Sequence, residues 1–299
     1  MTMATLTHDF SIDDSTAQDY WALLKPRVMS LVVFTAIVGL MLAPGEINPV
    51  IALCAILCVA VGSGAAGAIN MWYDRDIDAI MERTQKRPLP RGVISPDSAL
   101  FFGVFLSVMS VMTMAVTVGV AASLYLAAAI LFYVFVYTIW LKRSTPQNIV
   151  IGGAAGAFPP LIGWVSVTGK SCLEAWVLFA IIFMWTPPHF WALSLYKCQD
   201  YARAHVPMLP VVAGIQATKT QIVLYSVLMI AVTFAPYFMG FMGPIYGFCA
   251  LFLNLIFLSL SIQVKISDEK KHAVYLFVYS IFYLFLLFSA MLIDHKVYQ

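Results

Sequence analysis

Nine long apolar runs divide this chain, and they constrain its fold more than any other feature. A helix of about 20 apolar residues crosses the roughly 30 Å hydrocarbon core of a bilayer. Within that core every backbone polar group needs a partner inside the protein, which only helices and closed barrels supply. The sequence therefore predicts an all-α polytopic membrane protein with about nine transmembrane helices. The runs lie near residues 28–43, 50–72, 98–116, 119–140, 149–167, 173–195, 221–239, 244–264 and 273–293.

Composition supports this class. The chain is 62% hydrophobic and only 11% charged, with a mean hydropathy of +0.88, which excludes an ordinary soluble globular domain. Membrane lipid is therefore an expected partner, and nucleic acid is not. We expect residues 1–24 to form a flexible cytoplasmic tail and residues 25–299 to form a single transmembrane domain.

The basic residues predict the orientation in the membrane. With the N-terminus in the cytoplasm, 15 of the 17 lysines and arginines fall on the cytoplasmic side. Only Lys170 and Lys296 fall on the other side, where the C-terminus is also expected. The first 24 residues contain aspartates but no basic residue, unlike a signal peptide or a mitochondrial transit peptide. These features indicate a bacterial inner membrane, with a periplasmic C-terminus.

An amide and two carboxylates stand where the second apolar run ends. Asn70, Asp74 and Asp78 are spaced four residues apart, which places them on one stripe of a helix. Oxygen ligands of this kind suit Mg²⁺, which proteins commonly share with a phosphate. Four cations come next within nine residues: Arg83, Lys86, Arg87 and Arg91. The pattern favours an enzyme acting on a lipid diphosphate. The alternative is a solvated loop between two spans, which would also contain acidic and basic residues.

The sixth apolar run ends in a similar way. Tyr196 and Asp200 again stand four residues apart, and Lys197 and Arg203 supply positive charge before the segment Pro207-Met-Leu-Pro210. The likeness to the first loop indicates a degenerate internal repeat that places two half-sites around one cavity, open to the cytoplasmic side. A chance resemblance of two membrane loops is the alternative. Internal repeats also occur in secondary transporters.

Small residues and prolines predict how the central helices pack. Ser63 and Gly67 form one small-xxx-small pair, and Gly152 and Gly156 form another, so we expect close helix contacts at both. The pairs Pro159-Pro160 and Pro187-Pro188 are expected to break the fifth and sixth helices. Freed backbone groups are tolerated in a membrane only inside protein or around a cavity.

These motifs carry a resemblance to a known family. Asn70-xxx-Asp74-xxx-Asp78, with the segment Arg83–Gly92, resembles the first aspartate-rich motif of the intramembrane aromatic prenyltransferases. Three further segments resemble its protoheme farnesyltransferase branch: Lys25-Pro26-Arg27, Leu141–Trp164 and Trp185–Leu193. The match runs from about residue 20 to residue 215. One departure is Tyr196-xxx-Asp200, where many members of the superfamily have a second Asp-xxx-Asp motif.

The resemblance implies transfer of a farnesyl group from farnesyl diphosphate to haem B, giving haem O and diphosphate with Mg²⁺ as cofactor. It also implies haem A synthase or terminal oxidase assembly factors as partners. The implied metal ligands and catalytic residues are Asn70, Asp74, Asp78 and Asp200. Diphosphate-binding cations would be Arg83, Arg87, Arg91, Lys142, Arg143 and Lys197. The acceptor or prenyl pocket would include Tyr137, His189, Trp191 and Tyr196.

Several of these residues have a plainer interpretation. His189 lies inside an apolar span, where it would contact haem or hydrogen-bond a carbonyl freed by the adjacent prolines. Lys25 and Arg27 would face the haem propionates or, as we favour, serve as positive anchors at the membrane surface. Tyr137, Trp140 and Trp191 would line an apolar pocket or sit as aromatic anchors at the interface.

Other functions remain open at this point. A quinone-precursor prenyltransferase would use the same acidic motif, and the segment Thr186-Pro-Pro-His189 disfavours it through resemblance alone. A transporter would explain the cavity and the repeat without needing a Mg²⁺-type stripe beside an arginine-rich loop. A non-catalytic haem-handling protein would tolerate loss of the acids.

Overall fold

The computed structural model describes residues 15–298, and within this range the secondary structure is entirely helical. In chain order the elements are α1 (Ala17–Leu23), α2 (Pro26–Leu42), α3 (Pro49–Tyr73), α4 (Arg75–Ile80), α5 (Pro96–Thr117), α6 (Val120–Leu131), a π-helical segment (Phe132–Leu141), α7 (Asn148–Thr168), α8 (Leu173–Tyr196), α9 (Cys198–Arg203), α10 (Leu209–Val212), α11 (Ile215–Phe238), α12 (Pro244–Ile266) and α13 (Lys270–Tyr298). The predicted all-α membrane fold is confirmed.

Eight of the helical stretches are long and apolar enough to cross a membrane, with α6 and the π-helical segment counted as one span. The remaining predicted span, 28–43, corresponds to α2, which meets the criterion only together with α1, at a bend of 56°. Of the predicted tail, residues 1–14 lie outside the described residues. Its end forms α1, where the side chain of Thr16 caps the helix and Asp19 completes a capping box.

Helices α7 and α8 form the centre of the bundle. Two thirds of each apolar window (67%) is buried inside the protein, against 22% for α5, which therefore presents most of its surface to lipid. Helix α7 packs on α2 and α8, and α8 also packs on α11 and α13. The two most enclosed helices thus carry the prolines and the histidine that the sequence singled out.

Both proline pairs lie inside continuous helices, so the predicted breaks in the fifth and sixth helices are wrong. Proline removes one backbone donor and bends a helix, but a buried membrane helix can continue when neighbours satisfy the freed groups. In α8 the hydroxyl of Thr186, directly before Pro187, donates to the carbonyl of Ile182 at 2.8 Å.

Glycines allow α2 and α7 to approach backbone to backbone. A Cβ atom on Gly39 would lie 2.0 Å from the carbonyl oxygen of Pro160, and one on Gly163 would lie 2.1 Å from that of Ala36. The predicted close contact at Gly152 is confirmed, because a Cβ there would meet the ring of Tyr137 at 2.2 Å. The same prediction for Gly156 is wrong, since a Cβ there would have no neighbour within 4 Å.

Two long helices end in the same manner, as the predicted repeat requires. Helix α3 ends at Tyr73, one residue interrupts it, and the six-residue helix α4 begins at Arg75. Helix α8 ends at Tyr196, one residue interrupts it, and the six-residue helix α9 begins at Cys198. These junctions carry the acidic residues of the candidate site.

Candidate active site

The first half of the site forms at the junction of α3 and α4. Asn70 and Asp74 are buried one helical turn apart, and the Asn70 amide nitrogen donates to Asp74 Oδ2 at 2.7 Å. The same nitrogen lies 3.2 Å from the Thr138 hydroxyl on the π-helical segment. The Asn70 amide oxygen accepts from Lys25 Nζ at 2.8 Å. Three parts of the chain therefore meet at the Asn70 amide: the start of α2, the end of α3 and the π-helical segment.

Asp74 is fully buried and lies among cations that other elements contribute. Lys142, at the end of the π-helical segment, forms an ion pair with Asp74 Oδ2. Arg143 approaches Asp74 Oδ1 at 3.4 Å. A buried carboxylate is costly unless it is paired, and these contacts supply that pairing at the end of the apolar bundle.

Asp78 forms a second buried ion pair with the loop after α4. Arg87 Nη1 donates to Asp78 Oδ2 at 2.5 Å. The loop is folded back by Thr84, whose buried hydroxyl donates to the backbone carbonyl of Asp78 at 2.9 Å. The arginine-rich segment is thereby brought beside the acidic stripe, in agreement with the sequence prediction.

Arg143 is engaged mainly by Asp76. Its two guanidinium nitrogens each lie 2.7 Å from one Asp76 oxygen, in the fork geometry that arginine and carboxylates favour. These hydrogen bonds lower the pKa of the Asp76 carboxyl and raise the pKa of Arg143. The guanidinium also lies over the Tyr73 ring, 4.8 Å from its centroid. Arg143 thus holds the end of α3 in place and also adds positive charge beside Asp74.

The second half of the site is centred on Asp200 in α9. Asp200 is buried, and one of its oxygens is paired with Arg203 from the next turn. Arg203 also reaches Glu82 at 3.0 Å, which ties α9 to the loop after α4. The other oxygen, Asp200 Oδ2, is buried and has no hydrogen-bond partner in the described protein.

A small apolar core joins the two halves. Ile77 and Met81, from α4 and the residue after it, pack with Ile149 at the start of α7 and with Tyr201 and Met208 near α9. The predicted convergence of two half-sites therefore has a physical basis in packing. The Asn148 amide oxygen, beside this core, is also buried without a partner among the described residues.

The remaining predicted cations have different surroundings. Arg91 approaches Asp19 of α1 at 3.9 Å, and Lys197 lies over the Tyr196 ring at 5.9 Å. Arg83 is exposed on the loop and lies within electrostatic range of Tyr137 and Tyr196. Arg83 and Lys197 have no carboxylate ion pair in the described chain, which leaves them available to an anionic substrate.

The predicted pocket residues do not share one environment. His189 is buried between the rings of Trp185 and Phe277, with centroids 4.2 and 4.7 Å away, and its Nδ1 lies 2.6 Å from the Ser280 hydroxyl. Its partner is thus a side chain of α13 and not a carbonyl freed by the prolines. Trp191 is buried, and its indole N–H has no partner among the described residues. Trp140, by contrast, is 64% exposed, as an interfacial anchor would be.

Sequence reasoning misses three residues of this site. It favours Lys25 as a surface anchor, yet Lys25 contacts Asn70 from a left-handed backbone conformation (φ 52°) directly before Pro26. It gives Thr138 and Asn148 no role. The available signal is polarity at the ends of apolar runs, where a single lysine or threonine has too little context to be singled out.

The donors present suit a hard cation such as Mg²⁺. They are an amide oxygen and three buried carboxylates, and the unpartnered Asp200 Oδ2 is the atom that most needs a positive neighbour. In the described part of the chain, however, no three His, Cys, Asp or Glu side chains gather tightly enough to hold a metal among themselves. Lysine and arginine side chains supply the positive charge beside Asp74 and Asp78.

A separate cavity of about 310 Å³ lies at the opposite end of the bundle. It is lined by residues that include Trp164, Lys170, Glu174 and His295. None of Asp74, Asp78 and Asp200 lines it, so the cavity is separate from the arrangement described above.

Comparisons with known proteins agree with this fold. A family model described as "UbiA prenyltransferase family" matches residues 32–289. A protoheme IX farnesyltransferase of Rhizobium rhizogenes is 57% identical over 297 residues, covering 97% of this chain and 92% of the relative. A solved digeranylgeranylglyceryl phosphate synthase aligns with TM-score 0.77 and 18% identity, covering 93% of this chain and 98% of that one. A UbiA homologue from Archaeoglobus fulgidus, bound to GPP and Mg²⁺, aligns with TM-score 0.61 and 15% identity over 91% of this chain and 99% of its own.

Proposed function

This chain belongs to the UbiA prenyltransferase family, and we propose that it transfers the farnesyl group of farnesyl diphosphate to a vinyl group of haem B. The products are haem O and diphosphate, and one water molecule supplies the new hydroxyl group. The observation that carries this proposal is the 57% identity over nearly the whole chain to a protoheme IX farnesyltransferase. The buried acidic and basic cluster at one end of the bundle supplies the chemistry that such a reaction needs.

Breaking the allylic C–O bond leaves negative charge on the departing diphosphate. Arg87 and Lys142 lie beside the buried carboxylates, and Arg83 and Lys197 have no carboxylate ion pair in the described chain, so these cations would bind and stabilise the leaving group. Asn70, Asp74, Asp78 and Asp200 would hold Mg²⁺. When bound, Mg²⁺ would neutralise charge that develops on the diphosphate oxygens. The structure of a UbiA homologue with GPP and Mg²⁺ supports this part of the proposal.

The allylic carbocation requires an apolar, water-poor pocket with aromatic faces. Tyr137 is suitably placed, because the next residue, Thr138, contacts Asn70, and the Tyr137 ring packs against the backbone of Gly152. The haem vinyl carbon would attack the farnesyl C1, and water would then add to the resulting cation. Neither a covalent enzyme intermediate nor a strong general base is required.

We propose that His189 contacts the acceptor, and a pair of variants tests this. Its Nδ1 is held by Ser280 and its ring is stacked, while Nε2 makes no hydrogen bond within the described protein. We expect His189→Ala to change the absorption spectrum or affinity of bound haem B, with diphosphate binding little changed. Ser280→Ala is the matched control for loss of the supporting hydrogen bond alone. If His189→Ala binds haem B with an unaltered spectrum and affinity, the proposal is contradicted and the role of His189 is structural.

The membrane orientation is also a proposal, with the N-terminus in the cytoplasm of a bacterial inner membrane and the C-terminus in the periplasm. All the basic loops that form the site then share the cytoplasmic side. A reporter that works in the periplasm should be active when fused after residue 299, and a reporter that works in the cytoplasm should be inactive there. Activity of a cytoplasmic reporter at that position would overturn the count of nine spans.

Pigment analysis tests the reaction itself. Membranes containing the protein, supplied with farnesyl diphosphate and Mg²⁺, should convert haem B to haem O, and membranes containing Asp74→Asn should not. Prenylation of a quinone precursor instead of haem would support the nearest alternative enzyme. Because a transporter or haem-handling protein forms no new bond, absence of any prenylated product would reject the enzymatic proposal.

A further inference from the structure

Gly156 differs from every other glycine with open space around it. Six described glycines have no atom within 4 Å of the position that a Cβ would occupy. Five of them need glycine for a positive φ angle: Gly92, Gly119, Gly169, Gly214 and Gly240. Gly156 lies in the middle of α7, in ordinary helical conformation, where glycine is less favourable than alanine. Neither backbone geometry nor packing explains it.

The open space beside Gly156 lies inside the bundle. Its neighbours one turn away on the same face, Gly152, Gly153, Pro159 and Pro160, are all buried, whereas Gly156 itself is exposed. Since residues advance by about 100° around a helix, Ile151, which is 43% exposed, lies on the opposite side of α7. An exposed residue in the middle of a buried face therefore marks an internal crevice.

The walls of this crevice are defined by the contacts of neighbouring glycines. The ring of Tyr137 covers Gly152, Thr186 of α8 covers Gly153 at 2.9 Å, and the α2 backbone covers Gly163. The crevice thus lies between the π-helical segment, α8 and α2. Tyr137 connects it to the acidic cluster, because the next residue, Thr138, contacts Asn70.

We infer that Gly156 is a specificity-determining position, whose missing side chain admits the prenyl chain and limits its length. This inference rests on the proposed function. Gly156 is eight residues beyond the cytoplasmic start of α7 at Asn148, which is about 12 Å along the helix axis. A chain whose diphosphate lies at the carboxylates would extend inwards past Tyr137 to this point. Helix α7 contains no charged residue, so the crevice suits hydrocarbon better than the propionate edge of a porphyrin.

The test is a series of variants of increasing size, Gly156→Ala, Gly156→Val and Gly156→Leu, in the purified enzyme with haem B as acceptor. The ratio of kcat/KM for farnesyl diphosphate to that for geranyl diphosphate should fall along the series. We expect a fall of at least roughly tenfold at leucine, since a single methylene in an apolar pocket changes selectivity by that order. The unfolding temperature of Gly156→Ala should be no lower than that of the wild type.

Ala154→Leu is the matched control, because it adds similar bulk to the half-buried side of the same helix that turns towards lipid. It should leave the ratio unchanged. An unchanged ratio in Gly156→Leu would overturn the inference, and so would an equal loss with both diphosphates accompanied by weaker haem B binding. Binding of unreactive farnesyl and geranyl thiolodiphosphates, measured without haem, reports the same ratio independently of the acceptor. Failure of the haem assignment is thereby distinguishable from failure at Gly156.

Discussion

The two short helices α4 and α9 share a backbone but not a charge pattern. The residue that precedes each has nearly the same conformation, with φ −91° and ψ 8° at Asp74 and φ −106° and ψ 19° at Lys197. At this shared position the first junction has a buried carboxylate, and the second has a half-buried ammonium group. The junctions therefore present opposite charges to the space between them.

In both helices the third and fourth residues are buried, but the aspartate is the fourth residue of α4 and the third residue of α9. Helix α4 buries Ile77 and then Asp78, whereas α9 buries Asp200 and then Tyr201. The first junction also receives cations from distant elements, while Asp200 is paired with Arg203 from its own helix. The comparison indicates that a symmetric backbone supports an asymmetric site, with three of the four proposed metal ligands on the first junction.

The largest effects are expected from the first junction. Asp74→Ala and Asp78→Ala should each abolish prenyl transfer, a loss of roughly a thousandfold or more, because each removes a buried anionic ligand. Haem O formation by the purified variants is the measurement, and equal levels in the membrane are the control. Asp74→Asn preserves the shape around Lys142 and should be as inactive. Full activity of either alanine variant at limiting Mg²⁺ would contradict the assignment of the proposed metal ligands to the first junction.

An intermediate effect is expected from the loop cation that contacts this junction. Arg87→Ala should slow turnover or raise the farnesyl diphosphate requirement by about a hundredfold, corresponding to about 3 kcal/mol, with haem B binding little changed. Arg91→Ala is the matched control, because Arg91 points to Asp19 in α1. Similar losses in both variants would mean that the loop acts through its total charge and not through position.

The smallest effect should come from the second junction. Asp200→Asn should reduce activity about tenfold and raise the Mg²⁺ concentration needed, because one of several oxygen ligands is weakened. Titration of activity against Mg²⁺ measures this, with Arg203→Ala testing whether the paired arginine matters separately. A loss as large as that of Asp74→Asn would show that the two junctions contribute equally.

Much of this arrangement could be predicted from the sequence, and the successes have one physical origin. Burial in lipid requires long apolar helices, so the spans are visible in the sequence, and carboxylates at their ends are costly enough to be conspicuous. The role of Lys25 was not predictable, because its contact with Asn70 depends on a bend between α1 and α2. Nor was the continuity of α7 and α8, since neighbouring side chains decide whether proline ends or merely bends a helix. Gly152 and Gly156 look alike as one GxxxG pair but face different surroundings.

The π-helical segment has a consequence for how this protein can change in length during evolution. In it the Lys142 amide donates to the carbonyl of Tyr137, five residues back, and the Thr138 hydroxyl donates to the carbonyl of Tyr133. Deleting one residue while the helical pitch of the segment is kept would leave the span hydrophobic but rotate the residues beyond the deletion by roughly 100°. Lys142 would then no longer reach Asp74. Homologous genes should therefore tolerate insertions and deletions in the loop 144–147, beyond Arg143, yet exclude them from 132–141.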